Sequence, residues 1–252
     1  MLESFRQSAW WAPFDARILV TTNLAEPWLQ SELERSSWPF PIELHANALP
    51  QGFGANHNAA FRRADSDWFV VVNPDITWPP LAPTDEIFEQ MAATDVRCGL
   101  LIPGQVAPDG ALQDHMRALV TPWGVLKRAI QRTWQPVVRS GAAQSAEDAD
   151  WVNGACMVLR SDAFRELGGF DEGYFMYCED TDFCLRLRLA GWQMASMPLT
   201  VVHDARRHTR SNRRHLFWHV RSLWRLWLSS AFWRYGWRKV ARGWQRGNRK
   251  EG

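Results

Sequence analysis

Three short stretches carry polar residues where the surrounding pattern is apolar. Asn73-Pro74-Asp75 follows the run Phe69–Val72, and His203-Asp204 follows Leu199–Val202. Glu179-Asp180 lies in "GGFDEGYFMYCEDTD" (168–182), where Asp171, Glu172, Glu179, Asp180 and Asp182, with Glu166 just before, surround four aromatic rings. Unpaired carboxylates are costly to bury, so this density asks for a use. An Asp just past a central strand can hold Mg²⁺ or Mn²⁺ through oxygen, with substrate phosphates completing the shell. A His at such a place can be a metal ligand or a phosphate donor. A carboxylate opening a helix stays ionised readily and can act as general base toward a hydroxyl. Each residue also has a plainer reading. Asp75 could be a turn residue, His203 a surface residue, and Asp180 or Asp182 a helix N-cap. Taken together, and with the cluster "RRHTRSNRRH" (206–215) suited to a diphosphate, they describe one site. It would transfer a group from a nucleoside diphosphate compound to an alcohol.

The elements that must position these residues follow from the apolar pattern. Residues 2–10 read as a short helix. "ARILVTTN" (16–23), "PIELHAN" (41–47) and "DWFVVVNPDI" (67–76) read as strands, and "GFGANHNAAFRRA" (52–64) as a Gly-rich turn entering a helix. Residues 79–83 break the chain and a helix follows to about Ala93. Residues 98–110 read as strand and turn. Residues 113–150 are poor in pattern, with a mobile loop expected near 139–149. Strand, helix and Gly turn follow from Asp150, then a helix closed by Gly191, a last strand "QMASMPLTVVHD", and a helical pattern from Asn212 to Trp244. Strands alternating with helices predict an α/β sandwich with a mainly parallel sheet, and in such sheets ligands collect at the carboxyl ends of strands.

The chain has 252 residues and is 46% hydrophobic, enough for one sizeable domain with an appendage. The division expected is 1–211 and 212–252. The four cysteines form no CxxC pair and are expected to be reduced thiols of a cytoplasmic protein. The opening residues show no secretory signal, and no apolar run is long enough to span a membrane. Charge is unevenly placed. From Val201 onward fourteen Lys and Arg stand against two acids, a balance of +12, which leaves −10 on the rest. A tail this basic seeks phosphate: a nucleotide, a nucleic acid or anionic lipid.

The stretches "NALPQGFGANHNAAF", "FVVVNPDI", "VNGACMVLRSDAFRELGGFDEGYFMYCEDTDFCLRLRLAGW" and "MPLTVVHDARRHTRS" resemble the family 2 glycosyltransferases of GT-A fold, a Rossmann-like architecture. Within that family they are most like bacterial rhamnosyltransferases of cell-surface polysaccharide assembly. The resemblance implies an inverting, metal-dependent transfer of L-rhamnose from dTDP-rhamnose to a hydroxyl of a polysaccharide or a polyprenyl-diphosphate-linked glycan. Asp75 would bind the divalent metal, Mg²⁺ or Mn²⁺, with His203 as a late ligand, and Asn73 replaces the family's first acid. Asp180 would be the base, with Glu179 beside it. Asn23, Asn47, Gly52, Gly54 and Asn58 would line the nucleotide, Gly154 and Ala155 the donor sugar and acceptor. Arg206 and Arg207 would neutralise the leaving diphosphate. A UDP-sugar transferase, galactofuranosyl among them, and an inactive remnant stay open as alternatives. The remnant reading comes from the N-terminus: family members open with a strand of the type "VSIVIVSYN". The 24-residue spacing of Asn23 and Asn47 matches the strand after it, so that first strand is expected upstream of Met1.

The Trp-rich tail (213–244) places Leu216, Val220, Leu223, Trp227 and Ala231 on one side of a helix and Arg214, Arg221 and Arg225 on another. Two readings fit: a helix lying on an anionic membrane surface at the inner face of the plasma membrane, or an amphipathic helix packed on the domain. A nucleic-acid-binding reading leaves Asp75, Asp180 and His203 unexplained, so no nucleic-acid partner is expected.

Overall fold

The computed structural model describes residues 1–8, 11–130, 146, 148–205 and 213–248. Its elements in chain order are α1 Leu2–Gln7, β1 Ile18–Thr22, α2 Pro27–Arg35, β2 Ile42–Ala46, α3 Phe53–Phe61, β3 Trp68–Val72, β4 Ile76–Thr77 and α4 Thr84–Ala93. They continue with β5 Cys98–Val106, β6 Met116–Arg117, α5 Pro122–Ile130, β7 Trp151–Val152, β8 Cys156–Arg160, α6 Ser161–Glu166, α7 Glu179–Leu189, β9 Gln193–His203, α8 Arg213–Leu228 and α9 Ser230–Asn248.

The central sheet has five strands in the order β3-β8-β5-β9-β4. The mainly parallel sheet expected from the sequence is corrected here. β5 and β9 pair parallel, whereas β3–β8, β5–β8 and β4–β9 are antiparallel. The reason lies in what an apolar run reports. Both faces of this sheet are covered, so its strands are apolar on both sides whatever their direction. Leu100, Ile102, Met157 and Leu159 face one core, filled by Phe164, Phe170 and Phe183. Leu101, Cys156, Val158 and Val201 face the other, with Ile76, Ile87 and Met91. β1 and β2 form a separate parallel pair, Ile18 opposite Ile42 through Thr22 opposite Ala46.

A third cluster joins the C-terminal helices to the rest. Leu226, Ala231, Phe232 and Tyr235 pack with Tyr174, Cys178 and Leu185. All four cysteines are buried thiols. The 139–149 loop lies mostly outside the described residues, though Ala146 and Ala149 are buried and Arg188 Nη2 donates to both carbonyls. Among the described residues no helix is long and apolar enough to cross a membrane.

Candidate active site

Most of the carboxylates in the 166–182 stretch are spoken for. Asp171 pairs with Arg225 at 2.8 Å and accepts from the Gly173 amide at 2.9 Å. Glu172 accepts from Asn58 Nδ2 at 3.0 Å, Asp182 pairs with Arg186 at 2.7 Å, and Glu166 accepts from the Trp192 indole at 3.1 Å. That leaves Glu179 and Asp180 for chemistry.

The backbone is forced into position to present them. Tyr177 and Cys178 adopt left-handed conformations, φ 73° and 66°, which non-glycine residues visit only when their surroundings over-determine them. Here the determinants are nearby: Tyr177 Oη and His215 Nδ1 share a hydrogen bond of 2.8 Å, and Ser222 Oγ donates to the Met176 carbonyl at 2.8 Å. α7 then starts at Glu179. Asp180 Oδ2 accepts from the Gly154 amide at 2.9 Å and Oδ1 from the Thr181 amide at 2.7 Å. The N-cap of α7 is Cys178 and no side chain caps the helix, so neither Asp180 nor Asp182 is the N-cap of the plainer reading; Asp180 bonds the next amide of its own helix while its other oxygen reaches across to Gly154. Burial raises both carboxyls. Asp180 is raised by burial while the two amides and the Arg117 charge act the other way. Glu179 is pushed up to about 8, by burial first and then by the Asp180 charge. Glu179 Oε2 is buried without a hydrogen-bond partner. Amides favour a carboxylate and an unpartnered oxygen favours a carboxyl, so at neutral pH the negative charge belongs on Asp180 and the proton on Glu179.

Asp75 and His203 come together through a two-residue strand. β4 begins just after Asp75 and pairs Ile76 with His203, and the Asp204 amide donates to the Asp75 carbonyl at 3.1 Å. His203 Nε2 lies 3.7 Å from Asp75 Oδ2. Gln113 fixes the imidazole. Its Nε2 donates to the His203 carbonyl at 2.7 Å, so its Oε1, 3.0 Å from Nδ1, must be the acceptor there. Nδ1 therefore carries the ring proton, and burial keeps the ring neutral by lowering its pKa against the pull of Asp75. Nε2 is left with a lone pair aimed at a carboxylate, and Asp75 Oδ1 is buried without a partner. Two lone-pair atoms facing each other fit a divalent cation between them. Among the described residues no third His, Cys, Asp or Glu converges there, so phosphate oxygens would have to complete the shell.

A circuit of hydrogen bonds ties Asp180 to this pair. Asp180 holds Gly154, and the Ala155 carbonyl accepts from the Asn73 amide at 2.9 Å, two residues before Asp75. On the other side Asn153 and Gln105 bond reciprocally at 2.9 and 3.0 Å. The Gln113 amide donates to the Gln105 carbonyl, and Gln113 reaches His203. The turn 153–155 is thus common to both halves.

The remaining expected residues divide. Asn23 and Asn47 meet at the ends of β1 and β2: Asn47 Nδ2 donates to Asn23 Oδ1 at 2.9 Å and to Asn56 Oδ1 at 2.8 Å, and the Gln51 amide donates to Asn23 Oδ1. Gly52 and Gly54 pack against protein. A Cβ on Gly52 would lie 2.7 Å from the Phe175 carbonyl oxygen, and one on Gly54 2.8 Å from Phe170 Cβ. Asn58 is buried, with both ends of its amide bonded to the Phe170 backbone. These three brace the Gly turn against α3, and their small or polar character is what that packing needs. Arg206 and Arg207 lie outside the described residues. Sequence reasoning missed Asn56, Gln113 and Arg117. The Arg117 charge opposes the burial that raises Asp180 and adds to the burial that lowers His203, and its guanidinium stacks over Trp151 with 5.2 Å to the ring centre. Its weakly patterned segment gave no periodic signal. Asn56, in the quoted "GFGANHNAAF", could have been found by its helical spacing from Gly52.

Comparison with known proteins places this geometry. The chain is 32% identical over 189 residues to the N-acetylglucosaminyl-diphospho-decaprenol L-rhamnosyltransferase of Mycobacterium tuberculosis, covering 70% of this chain and 61% of that protein. It therefore spans about three fifths of that relative's length. It is 31% identical over 187 residues to the rhamnosyltransferase WbbL of Escherichia coli, covering 69% of each. The structure matches that of GalNAc-T7 with UDP, GalNAc and Mn²⁺ at a TM-score of 0.55 and 13% identity, over 76% of this chain and 38% of that one. The fold is the GT-A fold of glycosyltransferases. The model of the glycosyltransferase-like family 2 matches residues 42–225, which hold Asp75, Gly154, Asp180 and His203, and the chain belongs to that family.

Proposed function

We propose that this protein transfers L-rhamnose from dTDP-rhamnose, with inversion, to a hydroxyl of a cell-surface glycan carried on a polyprenyl diphosphate. The observation that carries the reading is the joining, through one turn, of an amide-held carboxylate to a facing Asp–His pair, in a chain similar to two rhamnosyltransferases. Asp180 accepts the acceptor's proton as its oxygen attacks C1 of the sugar. Glu179, neutral beside it, keeps the negative charge on Asp180. Arg117 draws the leaving diphosphate, and Arg206 and Arg207 follow His203 closely enough in the chain to join it. The Asn23–Asn47–Asn56 cluster meets the nucleotide. Asp75 and His203 would hold Mg²⁺ or Mn²⁺, which when bound neutralises charge on the departing diphosphate. The cation in the GalNAc-T7 structure and the lipid carrier named for the mycobacterial relative agree with this assignment. A lipid-linked acceptor lies in a membrane surface, which makes a peripheral position on the inner face of the plasma membrane part of the same reading.

Calorimetric titration of dTDP with Mn²⁺ into the protein tests it, with UDP in parallel. Metal-dependent binding of dTDP that Asp75→Ala abolishes is expected. Preference for UDP would move the donor to another sugar nucleotide, and absence of any metal-dependent nucleotide binding would sink the proposal.

A further inference from the structure

We propose that the outer face of α8 docks on an anionic lipid bilayer. Leu216, Val220, Trp224 and Leu228 recur every fourth residue, so they form one row along the helix. They are 46–78% exposed. The face opposite is the one that packs: Ser222 and Leu226 are buried, and Ser222 holds the Met176 carbonyl. An apolar row on the solvent side of an otherwise docked helix marks an interaction surface.

Charge selects the partner. Residues 213–248 contain nine Lys and Arg and no Asp or Glu, and Arg213 and Arg221 border the row. A groove on another protein would be met by the row alone, and a nucleic acid by the arginines alone. Aliphatic side chains, exposed tryptophans and the bordering Arg213 and Arg221 together match the headgroup region of an anionic leaflet. The tryptophans continue into α9, where Trp233 and Trp237 are exposed.

The position suits the site. The inner face of α8 grips the turn that leads into the candidate catalytic pair: the Trp218 ring lies 4.8 Å from that of Phe175, and His215 bonds Tyr177, two residues before Glu179. A bilayer on the outer face is then one helix, about 10–12 Å, from that turn. The inference rests on the membrane position in the proposed function and deepens it by naming the surface and the lipid; binding itself needs neither donor nor acceptor.

Flotation of the full chain with phosphatidylcholine vesicles, with and without phosphatidylglycerol, tests it. The expected result is binding to the phosphatidylglycerol vesicles that weakens about tenfold or more without the anionic lipid. Val220→Glu/Trp224→Glu should lose it about tenfold or more while keeping the circular dichroism spectrum and melting temperature of the parent. Arg213→Glu/Arg221→Glu should weaken it and flatten its salt dependence. The proposal is overturned by no binding to either vesicle, by binding unchanged in the Val220/Trp224 variant, or by a homodimer that this variant disperses without any vesicle binding. Binding to DNA but not to vesicles would overturn it too. Nucleotide titration in the absence of lipid reports on the sugar-transfer reading separately.

Discussion

At the scale of the residue, the division of labour between Glu179 and Asp180 has consequences for pH. As the proposed base, Asp180 must be ionised to accept a proton, and burial raises it. The acid limb of the kcat profile should therefore lie above the usual carboxylate range, with activity lost as pH falls through it. Asp180→Asn should lower kcat by about 10²- to 10⁴-fold and leave metal-dependent dTDP binding in place. Glu179 makes a prediction about stability. Its folded pKa, about 8, exceeds its ordinary 4.5, so its favourable contribution is full below 4.5 and is lost as pH rises through 8. Denaturant midpoints of the parent should fall across that window, and those of Glu179→Gln should not. Gln113 bonds His203 through both ends of its side-chain amide. Gln113→Leu frees the imidazole to take the other tautomer, and Mn²⁺ affinity should drop about 10- to 100-fold with the fold unchanged. A variant that bound Mn²⁺ like the parent would show that Gln113 does not set the ring.

At the scale of the element, α3 and the Gly turn form a close backbone contact that tolerates no side chain. Gly52→Ala places a Cβ 2.7 Å from the Phe175 carbonyl, against backbone that cannot swing away. It should cost about 1–3 kcal/mol in a denaturant melt. Gly236 in α9 is the contrast: nothing lies within 4 Å of its added Cβ, so Gly236→Ala should stabilise by up to about 1 kcal/mol. This contact also shows what the sequence could convey. The strands around Phe69–Val72 and Leu199–Val202, and the helix closed by Gly191, were legible because burial writes itself as apolar period. The acids at their ends stood out for the same reason. Strand direction was not legible, because a strand covered on both faces has the same composition in either direction. Nor was the role of Asn58, Gly52 and Gly54, since a nucleotide loop and a tight helix–turn contact ask for the same residue types. Gln113 and Arg117 lie on irregular chain, and only the fold brings them to His203 and Asp180.

At the scale of the whole molecule, the C-terminal helices are held from one side and open on the other. Asp150 is buried and accepts from Tyr235 Oη at 2.8 Å, from Lys239 Nζ at 2.5 and 2.8 Å, and from the Leu119 amide at 2.6 Å. Tyr235 and Phe232 lie in the cluster with Tyr174 and Leu185. Ending the chain at Leu228 would remove two buried aromatics, each contributing about 1.5–3 kcal/mol. It would also strip buried Asp150 of the Tyr235 hydroxyl and the half-exposed Lys239 ammonium, for about 1–3 kcal/mol more. The total is of the same order as the whole stability of a domain, about 5–15 kcal/mol. A chain ending there should therefore melt far below the parent or fail to fold, and loss of vesicle binding in it would say nothing about lipid. Point changes on the outer row carry no such cost, because Val220 and Trp224 are exposed. Parallel melts of the truncated chain and the Val220→Glu/Trp224→Glu variant decide the matter: only the first should lose its cooperative transition. If the shortened chain kept the parent's melting temperature, the Asp150 contacts and the third cluster would contribute little, and α9 would be an appendage.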